Sequence, residues 1–173
     1  MKTCTFALLL PILFCGCGDK KEKNATSTGR VIQVADDDSE MDAAMEAARA
    51  SFGAAWNEIR NDRERPAPKF AAAMVKARFP DPKDPEQGEH LWIDEITYDG
   101  SAIGGVVASE PLDLPEPKLG DRVSFPLDRL SDWLIVEEGV AKGSYTVQLL
   151  RKRMSAVERA EHDARYPFRF VEP

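Results

Sequence analysis

The chain is poor in sulfur and in imidazole. Its 173 residues include three cysteines and two histidines. Cys4 and Cys15 fall within the first sixteen residues and the third cysteine is Cys17. Residues 18–173 thus hold no cysteine, which excludes a disulfide framework, a thiol nucleophile and a thiolate metal site there. That stretch must be stabilised by its core, even in an oxidising compartment. His90 and His162 lie far apart, and neither has the spacing of a metal-ligand pair. The apolar run Thr5–Phe14 is too short to cross a bilayer of about 30 Å as a helix, and Pro11 interrupts it. Gly104-Gly105 does not open a helix, so a phosphate loop is not expected there. Ser101, Ser124, Ser131 and Ser144 lack the strand–turn–helix context of an activated nucleophile. No cofactor motif is present.

What is present begins at the N-terminus. Lys2 precedes the apolar run, which closes on Phe14-Cys15-Gly16-Cys17. A charge, an apolar stretch and a small residue before a cut site make a secretory signal. A cysteine directly after that small residue resembles a bacterial lipobox, with Phe14 where leucine is usual. The resemblance implies a signal peptide at 1–16, a lipidated Cys17 and a flexible tether over 17–30, followed by a domain at 31–173. Several acyl chains, at about 0.8 kcal/mol per buried CH₂, would make a stable membrane anchor. Gly18 after the cysteine points to the periplasmic face of the outer membrane in a diderm host. The tether carries net charge +2, whereas residues 31–173 hold 18 basic and 28 acidic residues, a net −10. A basic tether suits an anionic membrane surface; an acidic domain does not favour nucleic acid.

The domain reads as α+β. Val31–Val34 has the character of a strand, and Asp36-Asp37-Asp38-Ser39 that of a helix entry, with Ser39 as N-cap. Met41, Ala44, Met45, Ala48, Phe52, Ala55, Trp56 and Ile59 then recur at helical spacing, giving one long amphipathic helix with a core-facing stripe. Asn61–Pro68 is a charged loop. Strands are expected at Met74–Phe79, Leu91–Tyr98, Ser101–Ser109, Arg122–Leu127 and Trp133–Val136. Asp99-Gly100 indicates a two-residue hairpin turn. That register pairs Trp92 with Val107 and Asp94 with Gly105, and places Trp92, Ile96, Ile103 and Val107 on one face. After Gly143, Val147, Leu150, Met154 and Val157 take helical spacing, and Ser155 with Glu158 forms a capping box. The expected architecture is a single small domain: an antiparallel sheet of about four to five strands, the long N-terminal helix and a C-terminal helix. Arg151-Lys152-Arg153 and His162 read as solvated, and Phe168, Phe170 and Val171 as packed back on the domain.

Few residues here carry chemistry. His90, Trp92 and Asp94 share one strand face by alternation, and a histidine beside a carboxylate can do acid–base work. Ser131-Asp132-Trp133 is the sharpest cluster. Trp133 enters the core, or joins Trp92 as an aromatic floor for a ligand or partner. Asp121 lies in the turn before the Arg122 strand.

Val34-Ala35-Asp36-Asp37-Asp38, Glu89-His90-Leu91-Trp92-Ile93, Lys118-Leu119-Gly120-Asp121-Arg122-Val123 and Ser131-Asp132-Trp133, in that order, resemble the YegJ-like bacterial domain of unknown function. The resemblance implies one α+β domain over 31–173, sometimes found beside ankyrin repeats. It brings no catalytic residue or cofactor. The expectation is a membrane-tethered binding module for an envelope or secreted protein, using His90, Trp92, Asp94, Asp121, Asp132 and Trp133. The alternatives are a structural envelope protein and a hydrolase or metal-dependent enzyme using His90 and Asp94.

Overall fold

Asp38 starts the first helix. Its carboxylate accepts the Met41 N–H at 3.1 Å, so Asp38 rather than Ser39 caps α1 (Ser39–Arg63). The computed structural model describes residues 38–171. The signal peptide expected at 1–16, the lipidated tether expected at 17–30 and the strand expected at Val31–Val34 lie outside the described residues. The apolar stripe of α1 buries Met41, Ala48, Phe52, Ala55 and Ile59. The helix continues through Asn61, where a loop was expected, and ends with Arg60 and Arg63 suiting the helix dipole. The Asp62 carboxylate is buried and accepts the Lys69 and Phe70 N–H groups, which ties the helix end to the first strand.

Seven strands form one sheet: β1 (Phe70–Pro80), β2 (Gly88–Tyr98), β3 (Ala102–Val107), β4 (Arg122–Pro126), β5 (Leu130–Glu137), β6 (Val140–Gly143) and β7 (Arg169–Phe170). Their order is β4-β3-β2-β1-β5-β6-β7, antiparallel except for β6 with β7. The strand count exceeds the four to five expected. β6 and β7 are too short to show a periodicity of their own, and β7 exists only because it pairs with β6. The alanines of β1 suit a helix by propensity, but flanking strands on both sides hold it extended.

Two bulges decide which side chains face where. In β5, Lys76 pairs with Asp132 and Ala77 with Leu130, so Ser131 is an extra residue. Leu130 and Trp133 therefore both reach the core, while Ser131 and Asp132 both turn to the other face. In β2, Asp94 pairs with Val106 and Thr97 with Gly104, which leaves an extra residue near Glu95, whose φ is +48°. The bulge corrects the expected hairpin register. Ile93, not Trp92, pairs with Val107, and Asp94 faces Val106 rather than Gly105. Ile93 and Ile96 both point into the core, and Trp92 lies on the opposite face. The turn is longer than two residues: Asp99 Oδ1 accepts the N–H groups of Ser101 and Ala102, each at 2.8 Å.

The first face of the sheet packs on α1, through Phe52, Ile59, Val75, Ile93, Ile103, Phe125, Leu130 and Ile135. On the second face, Val147 of α2 (Tyr145–Arg153) packs over β5 and β6 on Leu134, Val136 and Ala141, beside Phe170 of the edge strand. A short helix, α3 (Ala156–Asp163), follows α2 and carries the expected capping box. Two residues expected to be solvated are not. Arg151 is 2 % exposed, held by both oxygens of Asp163, by Gln148 and by the Val171 carbonyl. His162 donates its Nδ1–H to Asp163 and packs on Tyr166 and Phe170. Arg153 ties the end of α2 to Asp38 and Glu40 at the start of α1.

Gly143 has φ +75°, and a Cβ there would collide with the Trp133 carbonyl and ring. Gly53 lies on the exposed side of α1 with nothing near a Cβ. Gly143→Ala should lower unfolding stability by about 2–4 kcal/mol, whereas Gly53→Ala should raise it by about 0.5–1 kcal/mol. Urea unfolding of the two variants checks both signs.

Candidate functional site

The second face holds a polar row that the fold itself assembles. Trp92, Lys76 and Asp132 are register partners on β2, β1 and β5. The Lys76 Nζ lies 4.9 Å from the centre of the Trp92 ring and donates to Thr146 Oγ1 at 3.1 Å. Thr146 in turn donates to Asp132 Oδ2 at 2.5 Å. Burial pushes the Lys76 amine below its ordinary pKa, and the charge of Asp132 opposes that shift. Asp132 is fully buried and accepts three backbone N–H groups besides, from Trp133, Tyr145 and Thr146. It therefore does the work of an N-cap for α2, whose own N-cap residue, Ser144, makes no side-chain capping bond.

His90 sits one step along the same strand face. Its Nδ1 is 2.8 Å from Ser131 Oγ, and that hydroxyl donates to the Lys76 carbonyl at 3.1 Å. The hydroxyl must then accept from the ring, which assigns the Nδ1–H tautomer and leaves Nε2 as an acceptor. Desolvation of the ring, then the charges of Lys76 and Arg78, push the His90 pKa down to about 4, so the ring is neutral at pH 7. The residue as a whole is solvent-exposed, and solvent at its outer edge limits how much that shift adds to stability.

The other expected site residues fall elsewhere. Asp94 is on the same face as His90 and Trp92, but its Oδ1 accepts the Glu95 N–H at the bulge, and His90 is engaged with Ser131 instead. Asp121 is an exposed turn residue that accepts the Lys118 N–H. Trp133 is in the core on the first face, with its Nε1 donating to Ser51 and its ring edge-on to Tyr145. The two tryptophans thus lie on opposite faces and form no common floor. The structure brings together His90, Trp92 and Asp132, and adds Lys76, Ser131 and Thr146. Of these three, Ser131 stands beside Asp132 in the sharpest cluster of the sequence, and Lys76 shows only as a charge between apolar residues of Met74–Phe79. Its partners are set by strand register, not by spacing.

The arrangement favours binding over nucleophilic attack. The Ser131 hydroxyl is 2 % exposed and committed to a carbonyl, so it is not presented to a substrate. Among the described residues, no three His, Cys, Asp or Glu side chains are grouped to hold a metal ion. Among the described residues also, no helix is long and apolar enough to cross a membrane. Over β2–β4 the second face stays exposed or half-exposed, with Val106, Gly104 and Ser124 along it and Trp92 at its inner border, where the indole packs against the Leu134 cluster. Neither the indole N–H of Trp92 nor the Nε2 of His90 has a partner among the described residues.

Residues 38–170 match the model of a family described as "Uncharacterized protein conserved in bacteria (DUF2314)". The chain is also 39 % identical over 137 residues to a protein of Neisseria meningitidis serogroup B named "Putative ankyrin repeat protein". The match covers 79 % of this chain and 54 % of that protein, so the chain spans about half the length of its relative. No solved structure matches.

The lowered pKa of His90 has a signed consequence. Between about pH 6.5 and pH 4 an unfolded chain takes up a proton at residue 90 that the folded chain resists. The contribution is therefore present above pH 6.5 and is lost as pH falls through that window. The His90 ring signals should titrate near pH 4 by NMR, and His90→Gln should flatten the stability profile between pH 6.5 and 4. A ring that titrates at 6.5 or above contradicts the burial argument.

Proposed function

The chain belongs to the DUF2314 family of uncharacterized bacterial proteins, and from that premise we propose that it is a protein-binding module tethered to a bacterial membrane. The tether is the lipid expected on Cys17, and the partner is another envelope or secreted protein. The observation that carries this reading is the unused hydrogen-bonding pair on one open strand face. Trp92 offers a donor and a flat aromatic surface, and His90, two residues away, offers an acceptor. Lys76 and Ser131 hold both rings from beneath, so they meet a partner with little left to order. Tryptophan in such a setting is a common centre of binding energy. The name of the Neisseria relative, which speaks of ankyrin repeats, fits a role in contacts between proteins.

Of the residues expected to bind, His90, Trp92 and Asp94 line this face. Asp132 acts from below by positioning Lys76 and α2, and Trp133 supports the core. Asp121 is at the turn entering β4. The acidic balance of residues 31–173 keeps the module off the anionic surface to which its tether holds it.

Cross-linking in living cells, followed by mass spectrometry, tests the proposal. The lipidated protein should enrich one partner, and Cys17→Ser should reduce the yield by releasing the protein from the membrane. Trp92→Ala should lose the partner, by about 2 kcal/mol or roughly thirty-fold in affinity, while its melting curve stays cooperative. Equal recovery with Trp92→Ala, or no partner in any sample, contradicts the reading.

A further inference from the structure

The sheet comes apart at its centre. β1 pairs with β2 only from Val75↔Ile93 to Pro80↔Gly88. Below that point β2 bulges at Glu95 and continues with β3, while the first half of β1 continues with β5. Among the described residues, Phe70–Met74 thus has a strand partner on one side only. The two strands diverge around a cleft of about 220 Å³, lined by Ala71, Ala72, Ala73, Asp94, Arg63 and Asp62 among others. Three consecutive alanines leave the β1 backbone unshielded along this stretch. A strand edge with small side chains and unused main-chain groups is what added strands pair with.

We infer that the split between β1 and β2 receives an extended segment of another polypeptide, which pairs with Ala71–Met74 as an added strand. The inference rests on the binding-module reading and names how the partner is held. Main-chain N–H and C=O groups along an edge are satisfied in series only by another backbone, which sets the class of the occupant. Charge sets part of its sequence. The Asp62 carboxylate is buried and filled by Lys69 and Phe70 N–H groups, and Arg63 is held by the Ile96 carbonyl at 2.7 Å. Asp94 is exposed, and among the described residues only its Oδ1 has a partner, the Glu95 N–H. A lysine or arginine on the incoming segment can reach it.

The test uses the full chain with Cys17→Ser as bait for a library of random twelve-residue peptides. Enriched peptides should carry a lysine or arginine within a run of β-formers. On binding they should slow amide exchange at Ala71–Met74. Methylating alternate backbone nitrogens of the peptide should weaken binding at least tenfold, because side chains are kept and ladder donors removed. Asp94→Asn should weaken it several-fold and relax the preference for a basic residue. No enrichment overturns the inference. So do enriched peptides that protect the Trp92 surface alone and tolerate N-methylation, although that outcome leaves the binding-module reading intact.

Discussion

The buried carboxylate of Asp132 is the constraint on which the rest of the structure depends. It lies within a strand yet receives the first N–H groups of a helix that begins thirteen residues later. It also faces the Lys76 amine across the β1–β5 ladder. One side chain thereby fixes three things: where α2 starts, which way β5 turns its polar residues, and the charge that opposes the burial shift of the lysine beside Trp92. A buried carboxylate is costly unless its lone pairs are filled, and here four donors fill them. The Ser131 bulge makes this affordable in structural terms. Without the extra residue, Asp132 and Leu130 would share a face and one of them would be misplaced.

The candidate surface follows from the same geometry. α2 covers the second face only over β5 and β6, because Asp132 anchors α2 at that end. The remaining half of the sheet face stays open, with Trp92 and His90 at its inner border. A second bulge, near Glu95, has the complementary effect on the other side of β1. It sends Ile96 into the core and detaches the end of β2 from the start of β1. Gly105 permits this: a Cβ there would come within 2.5 Å of the Asp94 carbonyl, so only glycine lets β3 approach the bulged backbone. Open face and open cleft are thus two results of interrupted strand pairing, and they adjoin each other at Asp94.

Much of the fold is legible in the sequence, and the unread part has a common cause. The 3.6-residue stripe from Met41 to Ile59, the β-rich runs around Asp99-Gly100 and the Ser155 capping box are local signals, and each corresponds to an observed element. Register is not local. The Asp-Gly turn implied one pairing, but a single residue inserted at Glu95 moved Trp92 to the other face. The same holds for Arg151 and His162, which read as solvated helix residues and are drawn inward by Asp163 and the aromatic tail. The functional face shows this most clearly. His90 and Trp92 could be placed on one face by alternation, whereas Lys76, Ser131 and Thr146 join them only through pairings between distant strands. Trp133 and Trp92 are equally apolar in sequence, and the bulges in β2 and β5 together determine that they part.

The central claim is that Asp132 and Lys76 act as one unit with the start of α2, and a double-mutant cycle of Asp132→Asn and Lys76→Met measures it most directly. The account predicts that Asp132→Asn alone costs about 3–5 kcal/mol of unfolding stability, since it removes the buried charge that fills the α2 cap and faces the Lys76 amine. In the Lys76→Met background the same change should cost at least about 1 kcal/mol less, because the amine is already gone. A loss below about 1 kcal/mol for Asp132→Asn, or additivity within about 0.5 kcal/mol, would contradict it.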